Sequence, residues 1–284
     1  MTPIFARVPD LDTGDDRFTI LRCGVCGVAS TDPYPSAATI QHLYETGATD
    51  YELPQAGIVG RLKDAFADIQ IRAIRGTLPG GSAERILDYG TGGGRYAAAC
   101  ARIFPGASVV GTDFAPAPPA GSYYDGSRAI RYLPYAGLQA EAPFDLILAR
   151  HVLEHYHDPI GIVGEWLDKL RSGGVLYLEV PNLDSRTARL LGKRWPLLYV
   201  PKHLSHFDRA TLERVVREAG GHATIGHTEI PMMGNVLAIA CNADRYDPRF
   251  RVFGLALHWL QLLIERSSGE GTCLTAAVRR PVPP

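Results

Sequence analysis

Residues 86–94 read Ile-Leu-Asp-Tyr-Gly-Thr-Gly-Gly-Gly, an apolar run opening into a glycine loop. Glycine lets backbone amides close on a ligand and take torsions that other residues resist. Asp113 follows Gly90 by 23 residues and ends the run Val109-Val110-Gly111-Thr112. An acid at the tip of a second strand can accept both hydroxyls of a ribose, so the two segments together describe a nucleoside site. Asp88 stands two residues before the loop, where a carboxylate can bind an ammonium group. A dinucleotide fingerprint asks for G-x-G-x-x-G; Gly90 and Gly92 fit it, but Arg95 takes the third position. The phosphate-loop pattern G-x-x-x-x-G-K-[ST] is absent. The plain alternative is a tight strand-to-helix turn with no ligand, and the spacing of Asp113 argues against it.

A second cluster is His151-Val152-Leu153-Glu154-His155. It matches H-x-x-E-H, the inverted zinc-protease motif, and on a helix both histidines would share one face. That motif belongs within a long helix, whereas here it directly follows the apolar run Leu146 to Ala149, and Asp158-Pro159 opens a new helix three residues on. The catalytic reading is that His155 removes a proton from a hydroxyl while Glu154 orients it or binds the acceptor. The plain reading is that Glu154 supports the next helix. His203 and His206 share a later loop that could fold over an acceptor.

Cys23 and Cys26 form half of a zinc knuckle. A structural site needs four ligands, and no second pair lies nearby. Five cysteines in 284 residues rule out a disulfide scaffold. Cys100, Cys241 and Cys273 read as buried apolar residues.

These residues need elements to hold them. Short apolar runs at 85–89, 108–111, 129–133, 144–149 and 175–180 alternate with helix candidates at 93–104 and 158–171. Strands alternating with helices indicate a parallel sheet of βαβ units. Residues 223–228 and 273–278 read as two more strands. Ser36 and Asp208 are helix-capping residues, and a helix is expected over 58–78, ended by Pro79-Gly80-Gly81. Pro116, Pro118 and Pro119 exclude a regular helix at 115–120. The segment 252–265 is apolar nearly all round, which reads as a buried helix. The formal net charge is -1, so no overall field ties the chain to nucleic acid or to an anionic membrane. No run approaches the ~20 apolar residues of a membrane span, and Met1 to Asp16 hold no apolar core of signal-peptide length. A cytoplasmic location is therefore expected.

As a set these segments resemble a known family. Ile86 to Gly94 is similar to motif I of the class I S-adenosylmethionine (SAM)-dependent methyltransferases. Gly111-Thr112-Asp113-Phe114 is similar to the acidic motif that follows it there, and Phe144 to Leu148 to their fourth strand. Val152-Leu153-Glu154-His155, then Asp158-Pro159 and Leu170 to Pro181, resemble the ubiquinone-type O-methyltransferase group. Trp195, Pro201, His203, His206-Phe207 and Leu212 follow the downstream pattern of the same group. The resemblance covers roughly 83–221. Two departures stand out: Tyr132-Leu133-Pro134-Tyr135 replaces the acid and small polar residue that read adenine, and the Pro-rich 115–120 replaces a helix start.

The resemblance implies a doubly wound, seven-stranded, mostly parallel α/β sheet and SAM as cofactor. Asp88, Gly90, Thr91, Gly92, Gly94, Asp113, Phe114 and Arg150 would contact that cofactor. His155, Glu154 and His206 would be catalytic in methylating a hydroxyl of a small-molecule acceptor, in a sugar, phenol or specialised metabolite. No metal is assigned, although related quinol methyltransferases can use a divalent ion, here on Glu154, His155 and His151. The leading segment 1–79 is expected as a knuckle remnant with a helical cap, and 80–284 as the sheet domain, with insertions near 182–207 and 230–270. Pairing of two copies is left open. An NAD(P)-binding oxidoreductase and a non-catalytic cofactor binder are the competing readings.

Overall fold

The computed structural model describes residues 1–11, 13–46, 53–141, 143–241, 243, 248–266 and 270–280. Parts of the expected leading segment and of the 230–270 insertion thus lie outside the described residues. The chain opens with strands β1 (Thr2–Val8), β2 (Phe18–Arg22) and β3 (Ala29–Asp32), then helices α1 (Ala37–Thr46) and α2 (Gly57–Arg75). Next come β4 (Arg85–Tyr89), α3 (Arg95–Ile103), β5 (Ser108–Asp113), β6 (Ile130–Pro134), β7 (Phe144–Arg150), α4 (Pro159–Asp168) and β8 (Leu170–Pro181). After α5 (Arg186–Leu191) follow β9 (Ser205–His206), α6 (Arg209–Glu218), β10 (His222–Thr228), α7 (Met233–Ala240), α8 (Pro248–Ala256), α9 (His258–Arg266) and β11 (Cys273–Arg279).

Seven strands form the main sheet in the order β10-β11-β8-β7-β4-β5-β6. Pairings among β8, β7, β4, β5 and β6 are parallel, while β11 runs antiparallel to both neighbours. Six of the seven residues of β7 are buried, as a central strand covered on both faces requires. One apolar layer packs Leu87, Trp166, Leu176 and Val215 against α4 and α6. The other packs Ile71, Ile86, Cys100 and Val109 against α2 and α3. Strand order reverses between β4 and β7, which opens a crevice beyond their carboxyl ends.

The helix ends follow local chemistry. Asp158 accepts from the Gly161 amide at 2.9 Å ahead of Pro159, so α4 starts where the sequence places it. Asp208 and Thr211 make a reciprocal capping box on α6.

Two parts differ from expectation. Ahead of the expected helices, the first residues form strands around the Cys23–Cys26 turn. β1, β2 and β3 form an antiparallel sheet that β9 completes, with Ala29 opposite His206. Its core joins Val8, Phe18 and Ile20 to Trp195, Leu198 and Val200 of the 182–207 connection. The strands are short and partly exposed, so their sequence carries little periodicity, and the pairing partner lies far along the chain. The 252–265 segment is two helices, α8 and α9, not one buried helix. Phe253 and Trp259 are 66% and 59% exposed, whereas the polar Gln261 is fully buried. Gln261 accepts from the Met232 amide and donates to the Ile230 carbonyl and the Thr272 hydroxyl, so hydrogen bonds seat α9. Cys241, expected inside, is exposed at the end of α7.

Candidate active site

The glycine loop closes by bonding to the strand beside it. Gly90 and Thr91 amides both donate to the Thr112 carbonyl, at 2.9 and 3.0 Å. The Gly92 amide donates to one Asp113 oxygen at 2.9 Å and the Phe114 amide to the other at 2.8 Å. Asp113 therefore fixes the loop and β5 together. An ionised carboxylate has about four lone-pair positions, so each oxygen keeps capacity for a hydroxyl. Burial holds the Asp113 carboxyl above its usual range, against the two amides that favour the anion.

Gly90, Gly92 and Gly94 all have positive φ, at 72°, 52° and 86°. A side chain on Gly90 would sit 2.3 Å from Val152, and one on Gly94 2.5 Å from the Tyr124 ring. The loop's glycines thus answer to packing as well as to any ligand. Behind them, Thr91 donates to Asp88 at 2.7 Å and accepts from the Tyr124 hydroxyl at 2.6 Å. Asp88 also accepts from the Ala97 amide at the start of α3. Burial raises the Asp88 carboxyl to about 6, opposed by Thr91, the Arg150 charge and the Ala97 amide.

Across the crevice, β7 ends in Arg150 and the chain turns sharply at His151, whose φ is 53°. Leu153–His155 form a single 3-10 turn, so His151 and His155 do not share a helix face. His151 reaches Glu179 at 3.1 Å through one ring nitrogen and Glu154 at 3.5 Å through the other. Burial opposes its charge, yet the two carboxylates outweigh burial and raise His151 to about 9. Glu179 is buried too, but Arg150 and His151 draw its carboxyl down to about 2.

Glu154 is 1% exposed, and neither carboxylate oxygen accepts a hydrogen bond. Its donor atoms and those of His155 and His203 lie within 4.8 Å of one another. His155 Nδ1 bonds the Lys202 carbonyl at 3.0 Å and His203 Nδ1 the Leu197 carbonyl at 2.9 Å. A carbonyl can only accept, so each Nδ1 carries the proton and each Nε2 the lone pair. Burial pushes both imidazoles down, so both are neutral at pH 7.

The structure brings together Asp88, Gly90, Thr91, Gly92, Gly94 and Asp113 at one loop, with Phe114 beside them, 45% exposed. Glu154 and His155 stand across the crevice. Arg150, expected with the cofactor contacts, bonds Glu179 at 2.6 Å, lies 3.6 Å over the Tyr96 ring and acts by its charge on Asp88. The side chain of His206, expected to be catalytic, does not join the cluster of Glu154, His155 and His203. It lies in β9 with Nε2 at 3.0 Å from the Thr31 hydroxyl. That hydroxyl spends its own hydrogen on the His203 carbonyl, so His206 must donate. Burial drives His206 down to about 3. His203 takes the place foreseen for His206, and only the path of the 182–207 connection reveals that. Tyr124 was missed altogether, since nothing in the Pro-rich stretch signals a ring turned back onto the glycine loop.

Comparison with known proteins agrees with this geometry. Residues 62–221, more than half of the chain, match the methyltransferase domain family. A ubiquinone biosynthesis O-methyltransferase of Cereibacter sphaeroides is 29% identical over 148 residues, covering 48% of this chain and 59% of that protein. One from Xanthomonas campestris pv. campestris is 31% identical over 144 residues, covering 48% and 58%. The chain thus spans less than two thirds of the curated relatives it matches. The crystal structure of magnesium protoporphyrin IX methyltransferase from Synechocystis PCC 6803 with bound SAH superposes with a TM-score of 0.50 at 14% identity, over 69% of this chain and 94% of that one. At that identity the likeness shows the fold alone. Among the described residues no helix is long and apolar enough to cross a membrane. With the matched family, the seven-stranded sheet and the glycine loop locked to Asp113, the chain belongs to the methyltransferase domain family.

Proposed function

We propose that this protein methylates a hydroxyl oxygen of a small-molecule acceptor, with His155 as the general base. The observation that carries this reading is the fixed tautomer of His155. Its Nδ1 proton is tied to the Lys202 carbonyl, so the neutral ring holds its lone pair on Nε2, and the ring belongs to the cluster around buried Glu154. SAM supplies a methyl group on a positive sulfur, open to in-line attack. Asp113 and the loop amides would hold its ribose, with Phe114 beside the adenine. Asp88 would face its amino group, where an ammonium would compensate a carboxylate that burial makes costly. His155 would take the acceptor proton as the oxygen attacks, and Glu154 would stabilise the resulting imidazolium. Positioning both reactants supplies the remainder of the rate.

One observation favours a second reading of the same cluster. Glu154 Oε1 faces His151 at 3.5 Å, while Oε2 accepts no hydrogen bond and, beside His155 and His203, suits a divalent cation. Backbone carbonyls orient both rings, as metal-bound histidines require. Such a cation, held by Glu154, His155 and His203, would lower the acidity barrier of the acceptor hydroxyl.

The test has two arms. Calorimetry should detect SAH and no NAD(H); the reverse would refute the cofactor assignment. Transfer of label from SAM is then measured across phenols, catechols and sugars, with and without chelator. Loss of turnover in His155→Ala with SAH affinity kept supports the base. Turnover lost on chelation and restored by a divalent ion selects the cation reading.

A further inference from the structure

The hairpin between β2 and β3 carries a chemical motif that the active site does not absorb. Cys23 and Cys26 face each other across its turn and both are partly exposed. The Val25 amide donates to the Cys23 sulfur at 3.4 Å. The turn itself is closed by Cys23 N to Val28 O at 2.9 Å and Gly27 N to Cys23 O at 3.0 Å. From α6, Arg214 donates to the Val25 carbonyl at 3.0 Å, which sets a guanidinium beside the two sulfurs. Among the described residues, no third His, Cys, Asp or Glu joins them into a metal-holding group. Beside the pair lies a cavity of about 380 Å³, bordered by Leu21, Val28, Thr31 and Tyr34.

We propose that Cys23 and Cys26 are a reversible thiol–disulfide exchange site for low-molecular-weight disulfides, with Cys23 as the attacking thiol and Cys26 as the resolving one. The Cys23 thiolate attacks one sulfur of the disulfide RSSR, forms a mixed disulfide and expels RS⁻. The Cys26 thiolate then attacks the Cys23 sulfur and expels the second RS⁻. The sum is two protein thiols plus RSSR giving one protein disulfide plus two RSH, so electrons and protons balance. The roles follow from the turn. Amides of Cys26 and Val25 and the Cys26 thiol all point at the Cys23 sulfur, which favours its thiolate and holds the thiol at about 7. Cys100 and Cys273 lie inside, where burial raises their thiols. The hairpin leads along β3 to Thr31, which bonds the His203 carbonyl at 2.7 Å. The pair is thus anchored to the wall of the candidate site, although its chemistry stands apart from the proposed reaction.

The test uses the full chain carrying Cys241→Ser, which removes the other exposed thiol. The protein is incubated with glutathione disulfide at pH 7, alkylated and weighed intact. The expected product has lost two alkylatable thiols and carries no glutathione. With Cys26→Ser added, glutathione should accumulate on Cys23. With Cys23→Ser added, the reaction should slow by about tenfold or more, because the Val25 amide that favours the thiolate is aimed at the Cys23 sulfur. Persistence of both thiols in glutathione disulfide would overturn the proposal. So would a glutathione adduct that Cys26 fails to resolve, or bound zinc that masks both sulfurs until it is chelated. All these sulfurs are at the surface, and thermal unfolding of each variant confirms that the fold is kept.

Discussion

Asp88→Asn should stabilise the ligand-free protein and weaken cofactor binding, and both effects should depend on pH. Asp88 is 4% exposed, and burial raises its carboxyl from 3.8 to about 6. A carboxyl raised on folding binds its proton more tightly in the folded chain. Its stabilising contribution is therefore complete below pH 3.8 and is lost as pH climbs through about 6. At about 1.4 kcal/mol for each pH unit between the two values, the loss is about 3 kcal/mol by neutral pH. Asparagine cannot ionise and escapes it. Urea unfolding of both proteins from pH 4 to pH 7.5 isolates this quantity, because any fixed cost of the amide cancels in the pH dependence of the difference. Over that pH range the stability gap should move by about 2.5 kcal/mol in favour of Asp88→Asn as pH rises. SAH should narrow the gap, since its ammonium would compensate the carboxylate. Wild-type affinity for SAH should fall as pH drops below about 6, while that of Asp88→Asn stays weak at every pH. A gap independent of pH would refute the burial argument. An SAH affinity untouched by the substitution would refute the ammonium contact.

Other expectations follow from the same geometry. Asp113→Ala removes the acceptor for the Gly92 and Phe114 amides and should abolish SAH binding by calorimetry. Gly111→Ala would put a methyl 1.6 Å from the Tyr124 hydroxyl and 2.7 Å from Thr91 Oγ1. It should cost about 1–3 kcal/mol in urea unfolding, and adding Tyr124→Ala should recover part of that cost. His151→Gln keeps a hydrogen-bonding side chain but removes the charge between Glu154 and Glu179. Turnover should fall at least tenfold while SAH affinity changes less than about twofold, since a buried carboxylate left without its cation takes up a proton.

The legible part of the site is the part made by neighbours in sequence. The strand, glycine loop and helix at 86–103 are consecutive, and Asp113 ends the next strand, so spacing alone places them together. The same holds for Glu154 and His155 after β7. The illegible part is made by long returns of the chain. His203 meets Glu154 across 49 residues, and Thr31 meets His206 across 175. No local pattern encodes such meetings, because each depends on how an irregular connection packs. Gln261 teaches the same lesson for packing. In an apolar run it reads as an exception on a buried helix, yet it is the buried residue, and Trp259 nearby faces out. Apolar side chains on an insertion need not face the core when hydrogen bonds seat the helix.

The sequence by itself determined the sheet, the glycine loop and the acid that closes it. Each rests on hydrophobic alternation, on glycine's access to positive φ, and on a carboxylate at the end of a strand. The tertiary structure decided which histidine joins Glu154, because His203 and His206 are three residues apart and differ only in where the connection turns them. It also decided the charges in the cluster. Burial keeps His155 and His203 neutral, while two carboxylates hold His151 protonated. Proton affinity in a buried cluster is set by desolvation and by charges within a few ångströms, and both exist only after folding.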